Sequence, residues 1–201
     1  MGAVSISPGN AKLGKIPSVS LPSIITCRPC LCQKKCYARK LERLRPTVAN
    51  AYKRNLEVLR SDPETYWREV EAAVMTSRFF RFHVSGDIPD RDCLDHMIGL
   101  AERHKHCEIL CFTKKYELVN EKLSSCGGHL PGNLHIIFSG WVGLEMANPF
   151  SLPEAHVRYR DGSTTARRDA VECPGNCTEC AMTDCGCWVL KPGEQVVFRE
   201  H

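Results

Sequence analysis

Nine of the chain's thirteen cysteines stand in two tight groups, and an ordinary apolar core does not call for such crowding. Cys27, Cys30, Cys32 and Cys36 fall within ten residues; Cys173, Cys177, Cys180, Cys185 and Cys187 fall within fifteen. Thiols packed this closely repel one another as thiolates and oxidise unless a soft metal centre holds them. The chain is therefore expected to fold around one or two metal sites, one near each end.

At 201 residues, 43% of them hydrophobic, there is material for one core and little more. The natural division is an α/β core over 1–156, which contains the first cysteine loop, and a cysteine-rich tail over 157–201 packed on it. No apolar run approaches the roughly 18 residues of a membrane span, so no membrane partner is expected. The opening MGAVSISPGNAKLGK lacks the charged start and apolar centre of a secretory signal, and Ile6 breaks the myristoylation pattern. A cytoplasmic setting follows as the expectation, and there clustered cysteines read as metal ligands before disulfides.

Strand and helix signals alternate through the middle of the chain. Ser18–Ile25 reads as a first strand, Tyr37–Leu44 and Thr47–Leu59 as helices separated at Pro46. Asp62 caps a helix with Tyr66, Trp67, Val70, Ala73 and Val74 on one stripe. Phe79–Val84, Glu108–Phe112 and Asn133–Phe138 read as buried strands, with helices from Asp90 to about His104 and on to about Leu123 between them. This alternation implies β-α-β crossovers and a parallel sheet, expected here as a reduced or incomplete β/α barrel. Sites on such folds gather at the C-terminal strand ends. Those ends carry Ser85-Gly86-Asp87, Thr113-Lys114 and Ser139-Gly140-Trp141.

The C-terminal group runs Cys173-x3-Cys177-x2-Cys180-x4-Cys185-x-Cys187. Its short loops let several thiolates converge on one centre, with Gly175 and Gly186 supplying the backbone freedom. Zinc sites favour paired hooks at a distance, and this run has only one, Cys177–Cys180. The crowded run with Pro174 beside it favours an iron–sulfur cluster, most simply [4Fe–4S], with zinc as the alternative metal. The N-terminal group, with Cys27, Cys30, Cys32 and Cys36 as ligands, forms either a second site or part of a shared one.

Other candidates are single residues. Lys114 is either a site lysine, contacting an anionic substrate or carrying a proton, or a surface lysine at a helix start. Trp141 either roofs a pocket or packs in the core. His83 reads as a hydrogen-bonded core histidine, His104 and His106 as exposed cations, and Cys93, Cys107, Cys111 and Cys126 as small core residues. Between Arg28 and Arg60, ten Lys or Arg face only Glu42 and Glu57. That stretch either forms a solvated face or meets nucleic acid phosphate.

Cys36-Tyr37-Ala38, Ser85-Gly86-Asp87, Phe112-Thr113-Lys114, the closing CPGNC-x2-C run and VVFREH together resemble a family of phage and mobile-element proteins, the gene-product-88-like family. The resemblance implies a phage or mobile-element protein and carries no reaction with it. Phe82-His-Val-Ser85-Gly86-Asp87-Ile-Pro89 is similar, more distantly, to the segment of radical-SAM proteins that binds the amino group of S-adenosylmethionine. That resemblance implies Asp87 as the cofactor's amino-group ligand, Ser85 and Gly86 as its close backbone approach, and a catalytic cluster at Cys27–Cys36. Position 39, where the third cysteine of the radical-SAM spacing belongs, is Arg.

The expectation is thus an iron–sulfur protein, a radical-SAM-like redox enzyme with an auxiliary cluster in its tail and a small molecule or electron donor as partner. The alternative is a non-enzymatic, metal-stapled protein that binds nucleic acid.

Overall fold

In a computed structural model, residues 3–27, 32, 35–183 and 185–200 are described. The strands are β1 (Ile6–Ser7), β2 (Ser18–Val19), β3 (Phe79–Phe82), β4 (Glu108–Thr113), β5 (Leu134–Ser139), β6 (Glu154–Arg158), β7 (Val171–Glu172) and β8 (Gln195–Arg199). The helices are α1 (Ser23–Thr26), α2 (Tyr37–Leu44), α3 (Pro46–Ser61), α4 (Pro63–Met75), α5 (Arg91–Arg103), α6 (Tyr116–Ser125) and α7 (Cys177–Met182). All eight strands form one sheet in the order β1-β2-β3-β4-β5-β6-β8-β7, parallel throughout except for β1 against β2.

The pleat divides the sheet's side chains between two covers. Phe80, Phe82, Ile109, Cys111, Ile136 and Phe138 face the helices, where Trp67, Val70 and Val74 of α4, Leu94 and Met97 of α5 and Val119 of α6 complete one core. Leu110, Ile137, Ala155 and Val196 face the other way, against Leu13, Ile16, Cys180, Ala181 and Trp188. The cysteine-rich segment is therefore the second layer of the fold. Coverage on both faces explains why the central strands read as nearly continuous apolar runs.

Local signals place the helices well. Asp62 accepts a hydrogen bond from Thr65 N at 3.1 Å and Asp90 from Cys93 N at 2.9 Å, each satisfying an orphan donor of the first helical turn. The expected barrel reduces to an open, mostly parallel sheet whose edges, β1 and β7, each pair with one neighbour.

Several details differ from the sequence reading. The strand expected over Ser18–Ile25 pairs only through Ser18–Val19, because Pro22 turns the chain into α1. Strand β3 stops at Phe82, since His83 adopts φ 54°, outside the extended region. Strand β6 escaped notice because its charged sequence, EAHVR, is stabilised by partners on both sides rather than by pattern. The division drawn at 156/157 runs through β6, so β7 and β8 extend the same sheet.

Candidate metal centres

The C-terminal cysteines are wrapped onto the sheet face by backbone contacts from distant segments. Cys177 N donates to Lys12 O at 2.9 Å, Cys173 N to Val197 O at 2.9 Å, and Cys185 N to Cys180 O at 3.0 Å. Asn176 caps α7 by accepting from Glu179 N at 3.2 Å. Gly186, at φ 62°, leaves room that a Cβ would take 3.0 Å from Cys180 Sγ. As a result Cys173, Cys177, Cys180 and Cys187 line one recess. Cys185 is not among its lining residues; its sulfur lies 3.3 Å from Thr183 Oγ1.

Two cations share that recess with the thiols. Arg81, on β3, places Nη1 3.9 Å from Cys177 Sγ and stacks its guanidinium over Phe112 at 4.8 Å. Lys12 stands over Phe198 at 4.6 Å, and the two rings meet edge to face at 5.7 Å. Burial pushes the Cys180 thiol up to about 12, and its contact with Cys185 and the charges of Cys173 and Cys177 add to the effect. Cys187 is likewise pushed up to about 12 by burial, with Arg81 pulling the other way. Each thiol thus resists ionising while its neighbours are ionised, a conflict that bound cationic charge relieves. Among the described residues, no three Cys, His, Asp or Glu side chains converge on a single-ion site.

The N-terminal group occupies a different place, beside the C-terminal strand ends. Cys27 closes α1 and Cys36 opens α2, with the buried Cys32 between them; Cys30 lies outside the described residues. The Cys36 thiol is held down at about 6, first by its hydrogen bond with Cys32, against burial, then by the N–H groups of Arg39 and Ala38 and the charge of Lys114. That is the behaviour of a thiol at a helix N-terminus. Lys114 is thus near enough to Cys36 for its charge to act on the thiol. The Trp141 ring packs edge-on to Tyr159 at 5.8 Å; Lys35 lies 4.4 Å over the same Tyr159 ring and 3.0 Å from Glu200.

The segment matched to a cofactor loop is engaged within the chain itself. Asp87 accepts from Thr113 Oγ1 at 2.6 Å and Ile88 N at 2.8 Å on one oxygen, and from Lys114 N at 2.9 Å on the other. Burial pushes its carboxyl above the ordinary range, against these donors. Ser85 Oγ donates to Glu42 at 2.7 Å. The space beside Gly86, at φ 87°, is filled by Leu21 O and Thr26 Oγ1, which a Cβ would meet at 2.7 and 2.8 Å. Together the three residues latch α1, α2 and β4 to the end of β3.

Sequence reading missed Arg81 and Lys12. The signal for the first was present, because an arginine inside the buried strand Phe-Phe-Arg-Phe demands a partner. His83 is buried as expected, yet neither ring nitrogen has a hydrogen-bond partner. His104 is not a free cation but lies 2.7 Å from Glu71. Cys93, Cys107 and Cys111 are core residues, while Cys126 is exposed.

A protein-family model described as Gene product 88 matches residues 4–142. The match takes in the first cysteine group, the Asp87 latch, Lys114 and Trp141, and ends before Cys173. No curated protein and no solved structure matches the chain, and the radical-SAM resemblance gains nothing from these comparisons. With well over half its length matched, the chain belongs to the Gene product 88 family.

Proposed function

We propose that the chain is an iron–sulfur protein that holds a [4Fe–4S] cluster on Cys173, Cys177, Cys180 and Cys187, and a second cluster on the Cys27–Cys36 group at the strand ends. The observation that carries this reading is the convergence of four thiols and two cations, Arg81 and Lys12, on one recess. A zinc ion draws its four sulfurs to about 2.3 Å from one point. A cuboidal cluster gives each thiolate its own iron, so its ligands stand apart around a volume. Four thiols brought around one recess at such short sequence spacing suit the second donor set. When bound, such a cluster supplies one-electron transfer.

The chain's own residues then take definite roles. Arg81 and Lys12 balance the negative charge of the thiolates, and Phe112 and Phe198 hold both cations in place while limiting water. At the strand ends Lys114 is a cation whose charge acts on Cys36, and Trp141 packs against Tyr159 under Lys35. In this reading S-adenosylmethionine is the small molecule to test at the N-terminal site. Asp87 acts there as a structural latch.

Anaerobic purification followed by iron, sulfide and zinc analysis tests the proposal. About eight irons with equal sulfide and a broad visible absorption support two cubane clusters. Cys177→Ala should remove one cluster's worth of iron and Cys36→Ala the other. Stoichiometric zinc in a colourless protein would overturn the redox reading.

A further inference from the structure

Among the described residues, five exposed large apolar side chains lie on two neighbouring helices, while Met75, Val142, Val171, Met182 and Val189 stand apart on other segments. Ile24 (45%), Ile25 (44%), Tyr37 (48%), Leu41 (38%) and Leu44 (59%) all lie on α1 and α2. Positions 37, 41 and 44 share one face of α2, at the spacing a helix normally buries. The two helices are joined into one surface, because Glu42 of α2 accepts from Ser23 N of α1 at 2.9 Å. The same carboxylate accepts from Ser85 at 2.7 Å, and the Tyr37 hydroxyl donates to Val84 O, so α2 is pinned to the sheet with these apolar atoms left outward.

Among the described residues, the exposed charges of α2 have a single sign. Arg39, Lys40, Arg43 and Arg45 are exposed around the apolar residues, while the helix's one acid, Glu42, is turned inward. An apolar centre within a charged rim is the anatomy of a protein-binding surface. Duplex nucleic acid offers phosphates to such a rim but nothing to cover five large apolar side chains.

The surface also adjoins the N-terminal cysteine group, since α1 ends at Cys27 and α2 begins at Cys36. We infer that this face is the docking site of an acidic one-electron carrier protein, which delivers an electron to the cluster at Cys27–Cys36; the inference rests on the cluster reading above. The carrier loses one electron, the cluster gains it, and no bond or proton moves. The rim steers encounter and the apolar centre sets the lifetime of the complex, as in small transient interfaces.

The probe is a purified, chemically reduced acidic plant-type ferredoxin, mixed anaerobically with the iron-loaded protein in a stopped-flow spectrometer. Wild type should be reduced at a rate that falls with salt. Leu41→Glu/Leu44→Glu should slow reduction by about tenfold or more at every salt concentration, and Lys40→Glu/Arg43→Glu chiefly at low salt. Both variants should keep wild-type iron content, melting temperature and reduction by dithionite. Ferredoxin reduction at the wild-type rate in both variants overturns the proposal. So does loss of binding to duplex DNA or anionic vesicles in the variants with ferredoxin reduction unchanged. Iron content unaffected by Cys36→Ala would instead show that the cluster reading has failed at this site, and the docking proposal would fall with it.

Discussion

Arg81 Nη1 and Cys177 Sγ approach to 3.9 Å across the boundary between the sheet and the cysteine-rich segment, joining residues 96 positions apart. A planar, permanently charged group is thereby fixed beside the thiol of Cys177. Among the described residues its Nε is buried without a partner, and the guanidinium is oriented by its stacking on Phe112 and its contact with Cys177.

With the proposed cluster bound at Cys173–Cys187, removing that charge should destabilise its reduced form more than the oxidised form. Arg81→Gln is expected to lower its midpoint potential on the order of 50–100 mV, and Arg81→Lys by less. A redox titration followed by electron paramagnetic resonance gives the value. An unchanged potential would show that Arg81 serves only to pack against Phe112.

The Asp87 latch should be visible as stability. Asp87→Asn leaves one acceptor for three donors and places an amide against a donor, at a cost of about 2–3 kcal/mol. Anaerobic urea unfolding should show the loss, while iron bound by the C-terminal cysteines in the folded protein stays at the wild-type level. Unaltered stability, coupled with loss of any spectral response to S-adenosylmethionine, would return Asp87 to the role of a cofactor ligand.

Gly140 touches a buried network that has no metal ligand in it. Its missing Cβ would lie 2.5 Å from the ring of His156, which is held by Thr165 Oγ1 at 2.8 Å and Glu154 at 3.1 Å. Gly140→Ala should cost about 1–3 kcal/mol by overpacking and loosen the loop carrying Thr165. Hydrogen exchange of residues 159–170 reads the second effect separately from the first.

His83 should make the fold acid-sensitive. Burial lowers its folded-state pKa to about 3, below the roughly 6.5 of an unfolded chain. Between those values the unfolded state binds a proton that the native state does not. Stability therefore falls as pH drops below about 6.5, by about 1.4 kcal/mol per pH unit from this residue. His83→Leu should flatten the change in stability between pH 7 and pH 5 by about 2 kcal/mol, whatever its constant cost from the backbone at φ 54°. An identical slope in the variant would mean that His83 takes up a proton in the folded state.

Much of this architecture was legible in the sequence because its signals are local. Asp62 and Asp90 announce helix starts within three residues of the N–H groups they cap. Phe80 and Phe82, two residues apart, announce a strand face by alternation. The two cysteine groups announce themselves by spacing alone. Strand β6 was not legible, since Glu154 and His156 enter the sheet through pairing with β5 and β8 rather than through any pattern of their own.

The sequence by itself determined where the helices capped by Asp62 and Asp90 begin, that the sheet is mostly parallel, and that thiols are crowded at two places. Only the tertiary structure decided that Cys173–Cys187 covers a sheet face while Cys27–Cys36 sits at the strand ends, and that Arg81 and Lys12 meet the first group. It also decided that Asp87 is a latch. The reason is physical: capping and periodicity act over a few residues, whereas these juxtapositions need segments such as Leu13 and Thr178, 165 positions apart, to be brought within 2.8 Å. Such contacts form only when the whole sheet has buried its two faces.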